Sequence, residues 1–214
     1  MTRPSLKADT RKTLVVMTHP AESSLTRTIT NAIMDALRAD GCDAELLDLA
    51  AERFDPVFGP TDHAAFNGKA PLSEDVRAEQ RRIDRADHLI LVYPVYWWTM
   101  PALLKGWIDR VFVAGWAFDE DTEGRITKRL GRLKISLVAI AAASERTYVK
   151  RGYREAMKVQ IEDGIFDFCG APVVASMLVT PDQLVHSTAA KEIACTLIDR
   201  TKKDFLSSHR HDSG

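Results

Sequence analysis

His88–Phe118 reads HLILVYPVYWWTMPALLKGWIDRVFVAGWAF, and its internal punctuation decides the fold. The run His88–Tyr93 has the length and composition of a strand buried on both faces. Pro94 marks its expected end, and an aromatic loop follows, Val95-Tyr96-Trp97-Trp98. Thr99 and Pro101 then open a helix, because proline suits a first turn, where its missing N–H costs nothing. Leu103, Leu104, Trp107, Ile108 and Val111 recur at helical spacing. Pro94, Pro101, Lys105, Asp109 and Arg110 break the run well before the roughly 20 apolar residues of a span, so direct membrane insertion is not expected.

A strand that delivers three large rings to a loop, directly ahead of a helix N-terminus, builds a flat-walled slot beside backbone donors. Such a slot suits a planar, partly anionic ligand. The competing reading makes Trp97 and Trp98 core filler. Their place after the strand, between two prolines, favours the slot.

Outward from this stretch the chain alternates strands and helices. Thr13–Met17 is a first strand, and Ser23 or Ser24 caps a helix whose Leu25, Ile29, Ile33 and Leu37 step by four before Gly41. Ala44–Leu49 is a second strand. Arg53–Ser73, with Pro56, Gly59, Pro60, Gly68 and Pro71, reads as a long surface connection. A charged helix over Glu74–Ala86 leads to the third strand at His88. Asp119–Leu133 reads as a polar loop, Leu133–Ala142 as a fourth strand and Arg154–Phe168 as a helix. Val173–Val179 is a fifth strand, and Thr188–Phe205 closes the chain as a helix.

Five strands in this alternation predict an α/β fold with three layers: a doubly wound, parallel five-stranded sheet with right-handed crossovers. The order 2-1-3-4-5 fits the count and sets strands 1 and 3 side by side at the switch point. The loops that leave them, Thr18–Leu25 and Pro94–Met100, then face each other across one crevice.

Composition narrows the function classes. The 214 residues, 45% hydrophobic, suffice for a sizeable core. Twenty-nine basic and 30 acidic residues give a net charge of −1, without the footprint of a nucleic-acid or anionic-membrane binder. Cys42, Cys169 and Cys195 form no CxxC, which argues against a disulfide scaffold or a zinc site and for reduced thiols in the cytoplasm. Residues 1–12 read as a disordered lead-in, 13–206 as one domain and 207–214 as a polar tail. His209 and His211 in that tail read as a solvated end, and no metal is expected.

The first crevice loop offers His19, Ser23, Ser24 and Thr26 ahead of a helix N-terminus, where hydroxyls, free N–H groups and the helix dipole make a phosphate cradle. One serine would suffice for a plain cap, which is the competing reading. No GxGxxG, GxxxxGKS/T, GxSxG or HExxH occurs, so neither a Rossmann dinucleotide site, a P-loop nor those hydrolases are supported. A phosphate cradle opposite an aromatic shelf matches a flavin, phosphate at one end and isoalloxazine at the other.

THPAESSL at 18–25, YPVYWWTMPALLKGWIDRVFVAGWAF at 93–118 and the segment Tyr148–Tyr153 together resemble the flavodoxin-like NAD(P)H:quinone oxidoreductase family. The resemblance runs from about Thr13 through Val179. It implies FAD, with FMN as the alternative, and NAD(P)H as co-substrate. His19, Ser24, Leu25 and Thr26 would hold the phosphate side, and Gln80 the adenine half. Pro94, Val95, Tyr96, Trp97 and Trp98 would line the ring, together with the turn Ala141-Ala142-Ala143. Tyr148 corresponds to a tyrosine near the pyrimidine end and is, with Arg154, a catalytic candidate. Trp98, Trp116 and Phe118 are candidates for an apolar lid over the substrate. Relatives complete this pocket with a second subunit, so a homodimer is implied.

Two departures stand out. The family often has a TTGG-like turn after strand 4, where this chain has Ile140-Ala141-Ala142-Ala143, and alanine lacks glycine's access to positive φ. Where animal relatives carry a histidine, this chain has Arg154, which stays charged and relays no proton; a solvated residue at a helix start is the equal reading. The mechanism implied is a two-step one, in which NAD(P)H reduces the flavin, leaves, and a quinone takes two electrons in the same slot. Nitro and azo compounds are further acceptors for that chemistry. A rival reading is a redox-sensing ancillary subunit of a membrane transporter that uses the same site. A one-electron carrier would call for an acidic face, which the near-neutral charge opposes.

Overall fold

The computed structural model describes residues 11–211, with side chains as far as Phe205. Most of the expected lead-in, residues 1–10, and the last three residues of the expected tail lie outside the described residues. Strand β1 (Lys12–Met17) pairs with both β2 (Asp43–Asp48) and β3 (His88–Pro94), all parallel. All seven residues of β3 are buried, as its apolar run requires of a central strand covered on both faces. Two further strands, β6 (Lys134–Ile140) and β7 (Val173–Val179), complete a sheet of order β2-β1-β3-β6-β7. Without the small hairpin described below, this is the expected order 2-1-3-4-5.

Alternate residues of each central strand feed two cores. Val15, Met17, Ile90 and Val92 meet α1 (Leu25–Ala39) and α7 (Ala189–His211) on one face. Leu14, Val16, Leu89, Leu91 and Tyr93 meet the opposite layer, which includes α3 (Glu74–Asp84) and α4 (Ala102–Val111). Period-two alternation of a strand sandwiched by helices accounts for the split.

Several boundaries differ from expectation. Lys12, placed in the lead-in, is the first residue of β1, and α7 continues past Phe205 to His211. β3 ends at Pro94 as expected, with the proline itself as the last rung, opposite Ile140 and one residue beyond the run His88–Tyr93; the next N–H, of Val95, reaches the Ile140 carbonyl at 2.8 Å. The connection Arg53–Ser73 carries a short helix, α2 (Pro60–Phe66). A buried ion pair fastens it, Arg110 Nε to Asp62 Oδ1 at 3.1 Å, with a second arm from Arg110 to Asp75 at 2.8 Å.

The stretch expected as a polar loop, Asp119–Leu133, contains most of an antiparallel hairpin, β4 (Phe118–Glu120) with β5 (Ile126–Lys128). Its turn is held by Asp121, whose Oδ1 accepts from the N–H groups of Glu123 at 2.8 Å and Arg125 at 2.9 Å. The helix expected over Arg154–Phe168 is three pieces: α5 (Glu145–Arg151), α6 (Tyr153–Met157) and a ten-residue π-helical stretch, Lys158–Asp167. Gly152, in the left-handed region at φ 71°, makes the break between α5 and α6, where a residue with a Cβ would be strained.

Candidate active site

The two loops singled out in the sequence leave the sheet side by side. β1 and β3 are neighbours, and the Thr18 N–H donates to the Val92 carbonyl at 3.3 Å just where both chains turn away. A parallel sheet opens a crevice at the carboxyl ends of its strands where the connections diverge, and both loops sit there.

On the β1 side, Ser24 caps α1: its Oγ accepts from the Arg27 N–H at 3.2 Å and its carbonyl from Thr28. The hydroxyl is thereby committed to the helix, as the plain-cap reading has it. The first-turn N–H groups of Leu25 and Thr26 have no intrahelical acceptor to turn to. No acidic residue occupies that first turn, so the positive end of the dipole is open to an anion. Thr26 is buried and Leu25 exposed. His19 Nδ1 accepts from the Ala21 N–H at 3.0 Å, which bends the loop. Arg27 pairs with Asp48, yet among the described residues its buried Nε has no hydrogen-bond partner.

On the β3 side, Tyr96 and Thr99 close a tight turn, with Thr99 N–H to Tyr96 carbonyl at 3.1 Å and the reverse bond at 3.0 Å. The two central residues are Trp97 at φ 47° and Trp98 at φ 64°. Two positive φ values define a type I′ turn, which asparagine and glycine normally supply. Two bulky residues in the left-handed region carry a strain of about 1–2 kcal/mol each, and such strain collects at functional sites. The backbone N–H groups of both tryptophans lack a backbone acceptor among the described residues.

The two indoles part company. Trp97 is 91% exposed and stands out from the turn. Trp98 lies against α5 and α6, stacked on Tyr153 with centroids 3.9 Å apart and edge-on to Tyr148 at 5.5 Å. Tyr148 is buried, and burial pushes its phenol above the usual range, so it stays protonated. Tyr153 was not singled out by sequence. Its place at the start of α6, one residue after the Gly152 break, is the signal that could have found it.

The third wall is the turn after β6. Ala141 donates its N–H to Val179 at 2.8 Å, Ala142 is exposed, and Ala143 is half-buried ahead of the Ser144 cap of α5. None of the three alanines has positive φ. Arg154 is exposed and paired with Glu145 at 3.2 Å.

Three expected site residues lie elsewhere. Gln80 is buried in α3, its Nε2 donating to the Val111 carbonyl at 3.0 Å. Helix α4 runs back from the crevice, and its ten residues span about 15 Å. Val111 therefore lies towards the opposite end of the sheet, and Gln80 ties two helices together there. Trp116 donates its indole N–H to Asp84, at the end of α3 that leads into the start of β3. Phe118 packs edge-on against Phe168 at 5.1 Å, just ahead of the start of β7. Both rings belong to the amino ends of the strands, so neither covers the crevice of its own chain.

A family profile described as the flavodoxin-like fold matches residues 11–198. NAD(P)H dehydrogenase (quinone) 1 of Rattus norvegicus is 31% identical over 189 residues, 79% of this chain and 68% of the relative. The chain belongs to the flavodoxin-like NAD(P)H:quinone oxidoreductase family. Another member, ribosyldihydronicotinamide dehydrogenase (quinone) of Pongo abelii, is 29% identical over 188 residues, 78% of this chain and 80% of that one. Among solved structures of the family, the NAD(P)H:quinone oxidoreductase from Methanothermobacter marburgensis superposes with a TM-score of 0.75 at 25% identity, covering 90% of this chain and 96% of that one. Among the described residues, no helix is long and apolar enough to cross a membrane.

Proposed function

We propose that this chain is a flavin-dependent NAD(P)H:quinone oxidoreductase that reduces quinones by two electrons, with nitro and azo compounds as further acceptors. The observation that carries the reading is the juxtaposition of an anion-ready helix N-terminus with the strained Trp97-Trp98 turn across one crevice. The names of the relatives support the same chemistry.

The residues present fit a flavin. The first turn of α1 offers N–H donors and no competing acid, and Arg27 Nε is a buried donor without a partner among the described residues. The free N–H groups of Trp97 and Trp98 suit a ring edge rich in acceptors. The flavin, when bound, supplies the hydride chemistry. The chain's part is placement: α1 holds the phosphate side, the Trp97-Trp98 turn presents its N–H groups to the ring's polar edge, and the Ala141–Ala143 turn borders it. Tyr148, kept protonated by burial, is a neutral donor near that edge. Arg154 would favour an anionic reduced ring only to the extent that it is turned from its Glu145 partner, which offsets its charge.

Trp116 and Phe118 keep their role as a lid only if a second chain brings them over this crevice, so the reading includes a homodimer. FAD is the first choice of flavin, although Gln80 no longer argues for it. The test is direct. Purified protein is expected to be yellow, to release a flavin identifiable by mass on heating, and to oxidise NAD(P)H on addition of a quinone. A colourless protein that takes up neither FAD nor FMN sinks the reading.

A further inference from the structure

The two edges of the sheet are built differently. β2 carries Asp43, Glu45 and Asp48 along its six residues. Charges on an edge strand discourage pairing with another chain. β7 forms the other edge with VVASMLV, seven residues without a charge or a proline. A long, uncharged edge of this kind is a template for a further strand.

Backbone direction gives the groups on offer. The Val179 carbonyl accepts from the Ala141 N–H at 2.8 Å, so Val179 turns its backbone towards β6. The N–H and C=O of a strand residue point to one side, and the side alternates along the strand. Ala175 and Met177 therefore also face β6, whereas Val174, Ser176 and Leu178 turn their N–H and C=O groups outward. Among the described residues those groups have no strand beside them, since β7 pairs with β6 alone.

Side chains decide what fits there. Ser176 is exposed, and Val174 and Leu178 are half-buried. An open cavity of about 160 Å³ lies beside the strand on the α4 face, lined in part by Ser176, Leu178 and Ile161, so solvent reaches the edge. A second β7 laid antiparallel about a dyad at Ser176 sets Val174 against Leu178 of the second copy, aliphatic against aliphatic. Ser176 then faces its own copy, where two small side chains meet without a clash and their hydroxyls form a favourable cross-strand pair. Each of these residue pairs exchanges two backbone hydrogen bonds. The charges around the cavity are mixed, Arg154 and Lys158 with Glu155 and Glu162, so two copies approach without a field of one sign.

We propose that β7 is the edge at which a second copy of this chain docks, its own β7 antiparallel and centred on Ser176, so that one sheet continues through an isologous two-fold contact. The pairing groups are backbone atoms of β7, none of them assigned to the crevice, so the contact holds whether or not a flavin binds. It is additional to the one that would carry Trp116 and Phe118 over the crevice. With both contacts the assembly has four chains, and with this one alone it has two.

Light scattering on the purified protein gives the mass of the assembly, and hydrogen exchange reads the edge itself. The amides of Val174, Ser176 and Leu178 are expected to be protected in the parent protein. Ser176→Lys sets like charges opposite each other at the dyad, and is expected to halve the assembly mass and free those amides. Ser176→Glu is expected to do the same. An equimolar mixture of the two variants sets opposite charges there and is expected to restore the parent mass, which mixing would not do for a chain that had lost its fold. A parent protein whose edge amides exchange freely overturns the proposal. So does an unchanged mass in both charged variants, or a mixture that stays at half the parent mass. A colourless protein that follows the expected mass pattern would count against the proposed function while supporting this contact.

Discussion

The indole of Trp98 lies nearly flat on the ring of Tyr153, with planes 14° apart and centroids at 3.9 Å. One ring comes from a strained turn after β3 and the other from the start of α6, so the stack couples two walls of the crevice. Offset aromatic pairs contribute about 0.5–1.5 kcal/mol beyond the area they bury. Tyr153→Ala is therefore expected to lower stability by about 2–3 kcal/mol once lost burial is added. Urea denaturation measures this. A loss below about 0.5 kcal/mol would mean that the stack does not brace the turn.

The sheet was legible because strands buried on both faces leave continuous apolar runs, as His88–Tyr93 and Leu133–Ala142 do. The crevice followed from topology, since the order of strands alone decides which loops meet. What escaped depends on side chains packing across the chain. The three-residue strands β4 and β5 are too short for any periodicity to register. Ile161, Ile165 and Phe168 read equally as α-helical spacing, so the π-helical turns were invisible. Trp116 and Phe118 stand beside Trp98 as lid candidates only through the resemblance, which carries no information on where this chain turns back. The return of α4 from the crevice carries them to the other end of the sheet.

Gly106 illustrates a constraint that only packing reveals. A Cβ there would sit 2.2 Å from the carbonyl oxygen of Pro56, on the strap that crosses α4. Backbone cannot retreat as a flexible side chain can, and the strap is pinned nearby by Arg110 to Asp62. Gly106→Ala, normally favourable in a helix, is here expected to cost about 2–3 kcal/mol. A thermal-unfolding scan that shows an unchanged or raised midpoint would refute the close approach.

Trp97 presents the reverse case. Its side chain is 91% exposed and its backbone is in the left-handed region. Trp97→Gly relieves strain and gives up little burial, so stability is expected to stay level or rise by about 1 kcal/mol. Flavin retention should fall in the same protein, and Trp97→Ala should weaken it more than Trp116→Ala. Equal, small effects of those two alanine variants on flavin dissociation would remove Trp97 from the proposed shelf.

His88 makes stability depend on pH. It is fully enclosed, with Nε2 2.8 Å from Ser136 Oγ and the Phe205 ring edge-on at 5.9 Å. Desolvation, and then the charge of Arg11, push its pKa from 6.5 down to about 3. Below pH 6.5 the unfolded chain takes up a proton that the folded chain refuses, so stability falls on acidification through the window from about 6.5 to about 3. Linkage puts the loss at up to about 1.4 kcal/mol per pH unit within that window. His88→Gln keeps a polar partner for Ser136 and lacks the titrating ring. Between pH 6.5 and 5 the parent protein is therefore expected to lose about 1.5 kcal/mol more than the variant, by urea denaturation at each pH. Parallel losses in the two proteins would show that His88 gains its proton while folded. The enclosure by Ser136 and Phe205 would then have to open on the acid side.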